Sequence, residues 1–267
     1  MTALVALTRL PAQRLADGCE LTFLERTPID ADRLHAEHRA YRDALAAAGA
    51  RVIALDPIEA LPDSAFVEDA AVVLDGIAVL TRPGAASRRD EPAHVEAPLR
   101  THRRRVESLP GSGTLEGGDV LRIGDTLYVG QSVRTDRAGV EALAALVGGL
   151  GYRVVPVPVH GSLHLKTVCT ALDAGTVLVN PAWLDADAFA GFARIEVDAD
   201  EPFAANVLAL GDALIANAAF PGTLARVRAH AARGGRRVLP VDLSEFGKAE
   251  AGLTCLSLVF STAAGRA

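Results

Sequence analysis

The sequence predicts an α/β protein, a five-bladed ββαβ propeller with pseudo-fivefold symmetry around a central channel. Three observations carry this expectation. Hairpin-like segments recur along the chain at a nearly constant interval. Helical stretches and further strands lie between them, so the recurring unit reads strand, strand, helix, strand. Small sheets repeated radially close into a ring, and one ring of five units uses up 267 residues, so residues 1–267 are expected to form a single domain. The alternative is an ordinary two-layer α/β domain with coincidental spacing.

The elements follow in order. Residues 19–25 (CELTFLE) read as a strand that completes the last unit together with residues 253–260 (LTCLSLVF). Residues 32–48 carry Leu34, Tyr41 and Leu45 on a helix that stops at Gly49, and residues 51–55 follow as a strand. The first hairpin is residues 66–84, turning at Asp75-Gly76. Residues 82–105 are charged and marked by Pro and Gly, a loop whose end reads as a basic helix. Residues 114–132 turn at Gly124-Asp125 and are followed by a helix over 137–148 and a strand over 152–159. Residues 164–183 turn at Ala174-Gly175, and residues 206–222 at Gly211-Asp212, with a helix over 223–232 and a strand over 237–241 behind the latter. Aligned on their first strands, the hairpins bring Glu68, Glu116, His164 and Asn206 into register at intervals of 48, 48 and 42 residues. A further 49 residues lands on Cys255.

Composition narrows the function. With 33 acidic against 27 basic residues and a formal charge of -6, the chain lacks the electropositive footprint that phosphate neutralisation demands, so nucleic acid is not an expected partner. Its apolar runs fall far short of the roughly 18 to 20 residues that cross a bilayer. No basic residue precedes Arg9 and no apolar core of signal-peptide length follows it, so the protein is expected to be cytoplasmic. The three cysteines, Cys19, Cys169 and Cys255, are too scattered for a disulfide framework and include no Cys-x-x-Cys pair, which leaves each as core filler or nucleophile.

A ring turns equivalent repeat positions toward one axis, which would bring Glu116, His164 and Cys255 together. A cysteine attacks as its thiolate, an imidazole moves the proton, and a carboxylate fixes the imidazole. Taken singly, each has a plainer reading: a packed thiol in LTCLSLVF, a surface histidine beside Lys166, a charged turn in LEGGD. Asp63, Glu68 and Asp69 lie in PDSAFVEDAAVV, where the Glu-Asp pair enters an apolar run. Burying such a pair is costly unless a cation or donors meet it, and a guanidinium fork or an internal salt bridge would serve. His160 and His164 are separated by Gly161 and lack the continuous helix of an i, i+4 zinc pair, so no metal is expected. The segments GSGTLEGGD and ARGGRR lack a phosphate-binding context.

The motifs FVEDAAVV, TRPGAASRR, LEGGDVL, GQSVRTD, GSLHLKTVCT and GLTCLSLVF, in that order, cover nearly the whole chain. Together they resemble the dimethylarginine dimethylaminohydrolase family, within the guanidino-group-modifying superfamily of five-bladed propellers that includes the arginine deiminases. The resemblance implies Cys255 as nucleophile, His164 as general acid and base, and Glu116 as their assistant. It also implies substrate contacts from Asp63, Glu68 and Asp69, with Arg88 and Arg134 holding an amino-acid carboxylate. Backbone contacts are implied near Leu21 and Ala249. The implied partner is a small guanidino substrate in the central channel, with no metal and no cofactor. The implied reaction takes an Nω-methylated arginine to citrulline and an amine through a covalent thiouronium. The compact chain has no inserted helical segment of the kind larger arginine deiminases carry. Action on free arginine and a non-catalytic arginine-binding propeller stand as alternatives. Residues 17–25 and 82–91 are candidate lids, and the oligomeric state is left open, a homodimer being one option.

Overall fold

The computed structural model describes residues 3–262. Its strands are β1 (Leu4–Arg9), β2 (Ala50–Leu55), β3 (Ala71–Val73), β4 (Ala78–Leu80), β5 (Val106–Ser108), β6 (Val120–Ile123), β7 (Thr126–Gln131), β8 (Arg153–Pro158), β9 (Cys169–Ala171), β10 (Thr176–Val179), β11 (Ala193–Glu196), β12 (Leu208–Leu210), β13 (Ala213–Asn217), β14 (Arg237–Val241) and β15 (Leu258–Ser261). They form five three-stranded sheets, β3-β4-β5, β6-β7-β8, β9-β10-β11, β12-β13-β14 and β15-β1-β2. In each, the middle strand is antiparallel to one neighbour and parallel to the other. β3, β6, β9, β12 and β15 all contribute to the wall of one cavity of about 320 Å³, and so are the inner strands of five blades around an axis. The last blade joins the two ends of the chain, because β15 pairs with β1 from Leu4 opposite Ser261 to Leu7 opposite Leu258.

Sequence explains the blade. Middle strands are covered on both faces and read as unbroken apolar runs, as in β10, where Val177, Leu178 and Val179 are fully buried. The hairpins need tight turns, and Gly124 and Gly211 take φ of +61° and +55° there. A parallel partner requires a crossover, supplied by the helices Ala31–Ala47, Ala93–Arg100, Arg137–Val147 and Pro221–Arg233. Asp30 and Asp136 cap two of these, accepting from Arg33 N–H at 3.0 Å and Gly139 N–H at 2.7 Å. Apolar positions of each helix then close a core against two blades: Val140, Leu143 and Val147 pack with Val72, Val79, Leu127 and Val129. Truncating one such leucine to alanine costs about 2 to 5 kcal/mol.

Three expectations are corrected. Residues 19–25 form no strand, and β1 takes that place in the last blade. The alternation in CELTFLE resembles a strand, but the Thr22, Phe23 and Leu24 amides go to the Glu250 carboxylate instead of a ladder. The helix in the charged segment ends at Arg100, and Arg103 lies beyond it with its Nε donating to Leu74 O at 2.7 Å. The blade β9-β10-β11 crosses over through a short 3-10 turn, Ala186–Phe189, because its middle and outer strands are joined by only 13 residues. Phe189 seals that turn against Tyr128, ring centres 4.7 Å apart.

The repeat register has a structural counterpart. Short helical turns precede four inner strands: Val67–Ala70 before β3, Gly117–Asp119 before β6, Leu165–Val168 before β9 and Thr254–Leu256 before β15. Glu68 and Cys255 lie within such turns, while Glu116 and His164 stand immediately before theirs. Asn206 precedes β12 without a turn and ties its neighbours together, donating to Lys166 O at 2.8 Å and accepting from Thr254 N–H at 3.0 Å.

Candidate active site

His164 is the centre of a buried ionic network. Its Nε2 donates to Glu116 Oε2 at 2.6 Å and lies 3.8 Å from Asp69 Oδ1. Burial alone would depress the imidazole, but the charge of Asp69, the bond to Glu116 and the charge of Asp119 outweigh it and lift its pKa to about 9. The ring is thus cationic at neutral pH. Asp119 also fixes the backbone here, accepting from Leu165 N–H at 2.8 Å while Ser132 Oγ donates to its other oxygen at 2.6 Å. Gly118 lets the ring sit close, since a Cβ there would fall 2.7 Å from both His164 Nδ1 and Asp69 Oδ1.

Arginines hold the carboxylates. Arg88, 4% exposed, donates from Nη1 to Asp69 at 2.8 Å and forks onto Glu91 through Nε at 3.0 Å and Nη2 at 2.7 Å. Asp69 accepts from Gly118 N–H at 2.9 Å as well. Burial pushes the Asp69 carboxyl up, and His164 and Arg88 reverse this and hold it below its ordinary value. Burial also raises Glu91, against the pull of Arg88, to about 7. Glu116 is fully buried, takes Gly84 N–H at 2.9 Å on Oε1, and has Arg134 Nη1 3.7 Å away. Arg134 Nη2 donates to Thr22 Oγ1 at 2.9 Å, whereas its buried Nη1 has no hydrogen-bond partner. A buried guanidinium nitrogen without an acceptor suits an incoming anion.

Cys255 shares a cavity with this network. It lines that cavity with Asp63, Asp69, Arg88, Arg134, His164 and Ala249. Burial first, then the charges of Glu68 and Asp69, push its thiol up to about 12, although Gly252 N–H lies 3.4 Å from Sγ and opposes the shift. A thiol so placed needs a cation nearby to become a thiolate. Asp63 adds negative charge at the rim, where its carboxylate accepts from Glu20 N–H at 3.1 Å.

Not every expected residue meets in the cavity. The Glu68 side chain is not in this lining: it accepts from Lys166 Nζ at 2.5 Å and Thr254 Oγ1 at 2.7 Å and lines the 320 Å³ cavity instead. Leu21 is half-buried and packs against the cluster that contains Ala249 and Cys255. Glu20, Glu91, Asp119 and Glu250 are the charged groups that the sequence reading passed over. Asp119 was within reach as the last residue of LEGGD, and Glu91 as the acid closing SRRDE. Oxygen and nitrogen atoms of Asp69, Glu116 and His164 lie within 4.8 Å of one another, close enough for a metal ion. Their ligand atoms are already engaged by Arg88, the Gly118 and Gly84 amides, and each other.

Comparison with known proteins gives this arrangement a family. The chain is 42% identical over 253 residues to the N(G),N(G)-dimethylarginine dimethylaminohydrolase of Streptomyces coelicolor, covering 95% of each protein. The chain belongs to the dimethylarginine dimethylaminohydrolase family. The broader arginine deiminase family model matches residues 31–217. Dimethylarginine dimethylaminohydrolase from Pseudomonas aeruginosa, solved as a cysteine-to-serine variant complexed with citrulline, superposes with a TM-score of 0.88 at 34% identity, covering 96% of this chain and 98% of that one. A dimethylarginine dimethylaminohydrolase adduct with S-methyl-L-thiocitrulline gives a TM-score of 0.89 at 34% identity over 97% of this chain and all of the other. Dimethylarginine dimethylaminohydrolases are hydrolases of guanidino groups, and the five blades found here are their fold. Among the described residues no helix is long and apolar enough to cross a membrane.

Proposed function

We propose that the protein hydrolyses Nω-methylated arginine to citrulline and methylamine or dimethylamine, with Cys255 as nucleophile, His164 as acid and base, and Glu116 as the group that orients and charges His164. The observation that carries this reading is the pairing of a cationic His164 with a neutral, buried Cys255 in a cavity rimmed by Asp63 and Asp69. The carboxylates match a guanidinium in charge and in its paired donors, and its charge would lower the thiol as it binds. The thiol proton leaves for solvent, and Sγ bonds to the guanidinium carbon. With Nε2 committed to Glu116, Nδ1–H of His164 gives its proton to the methylated nitrogen. The C–N bond then breaks and the amine departs, leaving a thiouronium on Cys255. His164, now neutral, takes a proton from the attacking water. The C–S bond breaks as the new hydroxyl passes its proton to the departing Cys255 sulfur, which restores the neutral thiol beside a cationic His164, and citrulline leaves.

Arg134, with its unpartnered Nη1, is the anchor for the substrate α-carboxylate, and backbone at Leu21 and Ala249 would flank the amino-acid end. Arg88 is saturated by Asp69 and Glu91, so its part is to hold Asp69 in place. Glu68 contributes through Thr254, the neighbour of Cys255, rather than by direct contact. The same reading takes residues 1–267 as one catalytic domain, supported by β15 closing the ring on β1. It takes the cytoplasm as the compartment, supported by three free, buried thiols. Incubation with dimethylarginine should yield citrulline, and Cys255→Ser should bind the substrate but form none. Absence of citrulline with the wild-type protein, or full activity in Cys255→Ser, would refute the reading.

A further inference from the structure

Glu250 stands on the wall of the cavity that holds Cys255 and His164. Its φ is +57°, the left-handed region that side-chain-bearing residues rarely adopt, and no other non-glycine residue among those described has a positive φ. Glycine would fit that backbone without cost, so a glutamate there points to work for the carboxylate.

That work is visible. Oε1 of Glu250 accepts from the backbone N–H of Thr22 at 3.0 Å, Phe23 at 2.5 Å and Leu24 at 2.6 Å, and Oε2 from Thr22 at 3.1 Å. Three successive N–H groups converging on one anion form a nest. The far edge of the same segment grips the opposite rim. Glu20 N–H donates to Asp63, the Glu20 carboxylate accepts from Ser87 and lies 3.4 Å from Arg134, and Thr22 Oγ1 accepts from Arg134. Residues 20–24 therefore run from Asp63 and Arg134, on one side of a cavity that Glu20 helps to line, to Glu250 on another of its walls; the cavity is about 20 Å³, room for about one water molecule. A cavity that small must widen to admit an amino acid, and lifting of this segment would widen it from the Glu20 side.

We infer that Glu250 is the latch of this segment, a positioning residue whose carboxylate holds Thr22–Leu24 down over bound substrate. It acts on substrate retention and not on bond breaking. This inference rests on the reading of the cavity as a substrate site.

The test pairs hydrogen–deuterium exchange of the Thr22, Phe23 and Leu24 amides, without substrate, with steady-state kinetics on dimethylarginine. It compares wild type with Glu250→Gln, which keeps length and removes charge, and Glu250→Gly, which suits the backbone and so protects folding. The latch predicts that the three amides exchange about tenfold faster in both variants while neighbouring blade amides do not. It also predicts that KM rises about tenfold with no fall in kcat. Unchanged exchange at these amides overturns the latch, and so does faster exchange with unchanged KM. Should wild type turn over no methylated arginine at all, the substrate reading fails, and the exchange result alone decides whether Glu250 holds the segment.

Discussion

On the proposed reading the chemistry turns on two residues that burial pushes alike toward the neutral form, a push that only one of them obeys. Cys255 loses hydration among acidic groups and stays a thiol, while His164 loses hydration but gains Asp69, Glu116 and Asp119 and stays a cation. The free protein therefore holds a proton on each, and the substrate's own charge releases the first. A group with a raised folded pKa is protonated below it, so His164 should carry protons on both ring nitrogens at pH 7 and lose one near pH 9. Nitrogen-15 NMR of the imidazole checks this, and a neutral ring at pH 7 would contradict it. Glu116→Gln removes one of the anions that sustain the shift. It should lower the His164 pKa and reduce kcat by about 10²-fold. Cys255, His164 and Glu116 are legible in the sequence because the repeat interval carries each to or just before a short turn that leads into an inner strand. Glu250 is not: nothing in FGKAEAGL announces a left-handed backbone, and its partners are 226 to 228 residues away. The direction of Glu68 is equally hidden, since it depends on Lys166 and Thr254 from other blades.

Among the elements, the short turns before the inner strands matter most. They take residues that would otherwise alternate along a strand and aim them at the axis, and they are packed too closely for side chains at their glycines. A Cβ at Gly117 would fall 1.9 Å from Glu68 O, and one at Gly118 would press on the His164 ring. Gly118→Ala should leave the ring folded but displace His164 and Asp69. Since misplacement by about 1 Å can cost roughly 10²-fold in rate, kcat should fall by that order, with circular dichroism unchanged. Activity within twofold of wild type would mean that the Gly118 turn does not set the histidine. The hairpins and three of the crossover helices are readable from apolar spacing and turn residues, because those signals are local. The last blade is not. CELTFLE alternates as a strand does, whereas β1, buried from Val5 to Arg9, is recognisable only once β15 and β2 are known to flank it.

At the scale of the molecule, the ring converts sequence separation into proximity. His164 and Cys255 stand at turns before different blades, and closure of β15 on β1 brings Cys255 round to the cavity that His164 lines. Length and repeat interval made this architecture legible, while the depth of the cavity and the segment across it belong to contacts between blades that no local pattern encodes. On the proposed reading the ring sets a cationic His164, a neutral Cys255 and the carboxylates of Asp63 and Asp69 around one planar cation, with the leaving group next to His164. Methyl groups on that nitrogen shift binding by only about 1 to 3 kcal/mol in a fitted pocket, so the amine released is the sharpest report on the substrate. The decisive measurement is the mass and amount of amine formed from equal concentrations of dimethylarginine and free arginine. Dimethylamine equal in amount to citrulline, with little ammonia from arginine, is the predicted result. Ammonia from arginine with dimethylarginine left intact would contradict it.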